Sequence, residues 1–123
     1  MSADPAAKKR IAPLNLPQLL AQAEAQGWQP FHSGIDCYPI YAEGEQGPAA
    51  MLLRYQAGAH APPHLHQGFE HILVLSGSQT DERGRHGVGT LLIQEPGSEH
   101  RLYSEDGCVV LAIWEKRVKM LAG

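Results

Sequence analysis

The chain has 123 residues, enough for one domain and too short for two comfortable ones. Hydrophobic residues make up 43%, which allows one real core, while charged residues make up 19% and the formal net charge is −3. That balance argues against a basic nucleic-acid face, and no run approaches the roughly 20 apolar residues of a membrane span.

In chain order, "MSADPAAKKRIAP" is broken by charge and proline. It lacks the apolar core of a signal peptide, so a cytoplasmic protein is expected. Lys8-Lys9-Arg10 reads as a solvated, frayed terminus. In "LNLPQLLAQAEAQGW", Leu16, Leu19, Leu20 and Ala23 follow the spacing of one helical face. Pro17 suits a first turn and Gly27 a stop, which predicts a helix over 16–26. Residues 1–27 are therefore read as a tail and short helix, and residues 28–123 as a single domain.

After Gly27, glycine and proline punctuate short apolar runs: "CYPIYA", "AAMLLRYQA", "HILVLSG", "GVGTLLIQ" and "CVVLAIWEK". Strands at this spacing predict an all-β sandwich or barrel with a short N-terminal helix. "TDERGRHG" reads as a hairpin connection. Met51, Leu53 and Tyr55 alternate with Arg54 and are expected to face the barrel interior and line a pocket with Ile72. Cys108, Val110, Ala112 and Trp114 form one core face of the last long run. Cys37 and Cys108 are expected as buried small hydrophobes without a disulfide. "CVVLAIW" and "HILVLS" are apolar on both faces, so something must cover the outer side: the N-terminal segment or a second subunit. Leu73 and Leu75 belong to that outer side, and a homodimer is expected.

"PPHLHQGFEH", residues 62–71, carries the chemistry. As a loop running into a strand, it puts His64, His66 and Glu70 on the same side as Ile72 and Val74, which read as core. An ionised carboxylate is costly inside unless paired, and a cation is an economical partner. His100 in "EPGSEH" is the candidate fourth ligand. His71 has the opposite parity and should face outward; His60, His32 and His86 read as surface residues.

Gly58, His64, His66, Glu70 and Gly77 reproduce the first cupin motif with its spacing intact. The second motif is partial. Gly89, Gly97 and His100 fall in place, Glu95 stands where proline is expected, with Pro96 after it, and Ser104 replaces asparagine. Within cupins, the "LLRY..G" run, the "VL.G" strand, the "D..GR" hairpin, the "PGS.H" turn and the "GC" before the last strand resemble the ChrR-type domain over roughly residues 28–115.

The resemblance implies a jelly-roll barrel with one divalent metal per chain, held by His64, His66, Glu70 and His100. Three imidazoles and a carboxylate suit Fe(II), Mn(II), Ni(II), Zn(II) or Cu(II), and the lack of thiolate argues against a closed structural zinc site. Similar free-standing cupins imply a dioxygenase acting on a small dicarbonyl-like molecule. The alternative is a non-catalytic sensory or regulatory module resembling the C-terminal domain of ChrR. There a zinc-binding anti-sigma domain precedes the cupin; residues 1–27 here hold no cysteine or histidine, so a sigma-factor partner is not expected. The intact ligand set argues against a metal-free isomerase.

Overall fold

Asn15 opens the helix of this computed structural model, which describes residues 11–121. Its side chain accepts from the Gln18 backbone N–H at 3.1 Å, Pro17 occupies the first turn, and Gly27 stops the helix at a positive φ of 94°. The result is α1 (Leu16–Gln26). The frayed basic end expected at Lys8-Lys9-Arg10 lies outside the described residues.

Among the described residues eleven strands follow: β1 (Gln29–His32), β2 (Ile35–Ala42), β3 (Ala49–Tyr55), β4 (His60–Leu65), β5 (Glu70–Gly77), β6 (Gln79–Asp81), β7 (Gly84–His86), β8 (Leu91–Gln94), β9 (Glu99–Tyr103), β10 (Cys108–Trp114) and β11 (Lys119–Met120). They pair antiparallel in two sheets. The six-stranded sheet runs β1-β2-β3-β10-β5-β8, and the five-stranded sheet runs β11-β4-β9-β6-β7. This is the all-β cupin architecture that the strand spacing and motifs led us to expect. Among the described residues, no helix is long and apolar enough to cross a membrane.

The inward faces of the sheets make one core, including Met51, Leu53, Tyr55, Ile72, Val74, Leu102, Val110 and Trp114. Cys37 and Cys108 are buried free thiols within it. The outer face of the six-stranded sheet is covered in part by α1. Leu19 and Ala23 pack on Leu52, with Leu75, Leu111 and Trp28 at the margin. Thus the N-terminal segment answers for Leu111, while Ile113 on the same outer face stays exposed.

Two glycines are needed where strands come close. Gly77 ends the first motif with φ at 69°, and a Cβ there would sit 2.0 Å from the Gly107 carbonyl oxygen. Gly68 is buried in the crossing between sheets, where a Cβ would meet the Glu115 carboxylate at 2.8 Å.

Candidate metal centre

Strand register explains how the four side chains meet. His64 on β4 lies directly opposite His100 on β9 in the five-stranded sheet. Glu70 opens β5 in the other sheet, directly opposite Trp114 on β10. Residues 66–69 cross from one sheet to the other and carry His66 between them. All four residues are buried, and one ligand atom from each lies within 4.8 Å of the others. Opposite ligands on a six-coordinate ion with bonds of about 2.1 Å would be about 4.2 Å apart, so the cluster has the size of one coordination shell.

The turn of the second motif clamps the crossing. Gly97 donates its backbone N–H to the His66 carbonyl at 2.7 Å, and His66 donates its own to the Ser98 carbonyl at 2.9 Å. The departures from the motif leave this clamp in place. Ser104, in the asparagine position, is fully buried and donates its hydroxyl to the Ser78 carbonyl at 2.6 Å.

The ring protons follow from the partners. His64 Nδ1 lies 2.9 Å from the Pro62 carbonyl, and His66 Nδ1 lies 3.0 Å from the Ser98 carbonyl. A carbonyl only accepts, so each neutral ring carries its proton on Nδ1 and turns the Nε2 lone pair inward. Yet His66 Nε2 faces Glu70 Oε1 at 3.1 Å. With the Nδ1 proton in place, this contact is favourable only when a positive charge, a second ring proton or a metal ion, lies between or beside the two atoms. Two ligand atoms at right angles on one ion would be about 3 Å apart. His100 Nε2 is 3.8 Å from the same oxygen, and both ring nitrogens of His100 are buried without a hydrogen-bond partner among the described residues. Such orphaned nitrogens are costly unless something else satisfies them. The donor set thus fits a divalent ion.

Electrostatics point the same way. Burial, and then the neighbouring His64, lower the His100 pKa to about 4. Burial lowers His64 as well, against the opposing pull of the Pro62 carbonyl and Glu70. Both imidazoles are therefore held neutral near pH 7, the form in which a ring nitrogen can bind a metal. Burial raises the Glu70 carboxyl, but the hydrogen bond and charge of His66, the Trp114 N–H and the charge of His64 outweigh it, so Glu70 remains a carboxylate.

A cavity of about 50 Å³ adjoins the cluster. Leu53, Tyr55 and Ile72 line it together with His64 and Glu70. Met51 instead lines a wider cavity of about 210 Å³, next to its register partner Pro39, where β2 is irregular between Pro39 and Tyr41. Burial and the charges of Cys108 and Glu70 push the Tyr55 phenol far up, so it keeps its proton.

Several features escape the parity argument. Phe31 and His32, at the tip of β1, line both cavities, although His32 is exposed, as expected of a surface residue. Trp114, read as core, donates its indole N–H to Glu70 Oε2. His86 is not a free surface residue: its Nε2 lies 2.8 Å from Asp81 Oδ1 within the β6–β7 hairpin. His60 is exposed, and His71 is half-buried away from the cluster.

Two facing antiparallel sheets around an inward His-His-Glu-His cluster define a cupin. More narrowly, the chain belongs to the ChrR cupin-like domain family, whose pattern matches residues 17–116 and so takes in α1 from Pro17 onward. Anti-sigma-E factor ChrR of Cereibacter sphaeroides is 34% identical over 87 residues, which are 69% of this chain and 40% of that protein. The chain thus spans less than half of that curated relative. The crystal structure of Rhodobacter sphaeroides SigE in complex with the anti-sigma ChrR aligns with a TM-score of 0.64 and 27% identity, covering 88% of this chain and 69% of that one. An acetylacetone dioxygenase from Acinetobacter johnsonii aligns with a TM-score of 0.74 over 99% of this chain and 83% of its own, at 11% identity, a likeness of fold alone.

Proposed function

We propose that His64, His66, Glu70 and His100 hold one divalent transition metal and that the site is a small-molecule dioxygenase. The carrying observation is the convergence of His66 Nε2 on Glu70 Oε1 at 3.1 Å beside a His100 whose two ring nitrogens are buried without a partner among the described residues, an arrangement that one divalent ion satisfies. Four protein ligands on a six-coordinate ion leave two positions open, at which an oxygen-bearing molecule and O2 can meet when the metal is redox-active. Leu53, Ile72 and Leu102 exclude water from the inner cavity. The Tyr55 hydroxyl, protonated throughout, is a donor for an oxygen of the bound molecule. A cavity of about 50 Å³ suits a small head group, with any tail leaving past Phe31 and Met120. This supports a compact dicarbonyl or hydroxyketone as substrate. Anaerobic loading with Fe(II), followed by oxygen-uptake measurements with β-dicarbonyls, tests it. Substrate-dependent uptake that is lost in His100→Ala is expected; no uptake by the loaded protein across the series contradicts it.

The likeness to ChrR favours a second reading, a metal-binding regulatory module. On that reading a loaded protein consumes no oxygen and instead associates with a sigma factor. The expectation against such a partner rested only on residues 1–27, most of which precede the family match. Co-purification with sigma factors of the same cell, with and without metal, separates the two. We also place the protein in the cytoplasm, as a homodimer.

A further inference from the structure

We propose that Trp114 is a positioning residue that restricts Glu70 to a single oxygen as metal ligand; this rests on the metal reading above. A tryptophan in an apolar core needs a partner for its N–H, and any carbonyl would serve. Here the partner is the one buried carboxylate of the site. Trp114 and Glu70 face each other across β10 and β5, and the indole N–H donates to Oε2. Oε1, by contrast, faces His66 Nε2 at 3.1 Å and His100 Nε2 at 3.8 Å. The two oxygens of one side chain therefore have divided roles: Oε2 is committed to the indole, and Oε1 is turned to the imidazoles.

The indole is itself held. Trp114 is buried, and its ring stacks with Phe31 at 6.4 Å and 24°. An unrestrained carboxylate beside a divalent ion can chelate with both oxygens. Chelation would fill one of the positions that an outside molecule needs. By occupying Oε2, Trp114 keeps that position open.

Mn(II) is the probe, because water exchanging on bound Mn(II) reports open positions through proton relaxation, independently of turnover. Wild type, Trp114→Phe and Glu70→Ala are loaded with Mn(II), and bound ion and relaxivity per bound ion are measured. In Trp114→Phe an aromatic ring, smaller than the indole, is kept and Oε2 is freed. The protein should retain Mn(II), with relaxivity falling to about half as one of two open positions is filled. Glu70→Ala should bind more weakly, with relaxivity at or above that of wild type. Relaxivity unchanged in Trp114→Phe, or release of Mn(II) as readily as from Glu70→Ala, overturns the proposal and leaves the metal reading standing. A wild type that takes up no Mn(II), Zn(II) or Fe(II) overturns both.

Should Trp114→Phe not fold, the indole protons decide. The chain has two tryptophans, so Trp28→Phe assigns the Trp114 N–H resonance by elimination. Glu70→Ala should move that resonance upfield and leave the Trp28 signal in place. A Trp114 signal unmoved by Glu70→Ala rejects the contact and the proposal with it.

Discussion

Each imidazole of the cluster keeps its proton away from the centre, on a nitrogen facing a backbone carbonyl, or is stripped of partners altogether, as in His100. This arrangement favours neutral rings at His64 and His100, and it has a consequence for acid stability. His64 and His100 protonate less readily folded than unfolded, the latter near its ordinary 6.5 and the folded His100 at about 4. Between those values the unfolded chain binds more protons, so stability of the metal-free protein falls as pH drops through that window. Glu70, held below its ordinary value, adds to the loss at the acid end. Denaturant midpoints of metal-free protein taken from neutral pH down to pH 4 should decline steadily once below about 6.5. A flat profile across that range would contradict the burial of neutral histidines.

The inward side of His64 and of Glu70 was legible because strand alternation is local: Glu70 shares the face of Ile72 and Val74 along β5, while the crossing at residues 66–69, which changes sheets between His64 and Glu70, was not legible from parity. The turn residues of both motifs were legible because they too are local. The partner of Glu70 was not. Trp114 lies 44 positions away, and only the pairing of β5 with β10 brings its N–H to the carboxylate. Phe31 and His32 reach the mouth through the β1–β2 hairpin, another placement that no spacing near the motif encodes. Glycine at the motif's end makes a sharper prediction at this scale. Gly77→Ala would force a side chain into the left-handed region and against the Gly107 carbonyl. We expect a loss of about 2–3 kcal/mol in equilibrium unfolding. Gly87→Ala, where φ is not positive and a Cβ meets nothing, should be nearly neutral. Equal effects of the two would refute the close-approach account.

Over the whole molecule, the two faces of the six-stranded sheet have different fates. Register places Ile93, His71, Ile113, Ala50 and Tyr41 in one row across its outer face. Ile93, Ile113 and Tyr41 are exposed, and Phe69 and Leu91 extend the apolar band beyond the reach of α1. If this band joins two copies, Ile93→Glu and Ile113→Glu should halve the mass in light scattering at micromolar concentration while keeping the β-rich spectrum. A wild type that is already monomeric there would count against the homodimer. The inner face carries the central claim, that the barrel is built around one metal ion. Elemental analysis of tag-free protein, reloaded with Fe(II), Zn(II), Mn(II) or Ni(II) and desalted, tests it most directly. Wild type and His71→Ala should each hold one ion per chain; His64→Ala, His66→Ala and His100→Ala should each lose most of it, and Glu70→Ala should keep only a weakly held fraction. Wild-type protein that retains none of these metals, or a His71→Ala variant that loses as much as His64→Ala, would contradict the account.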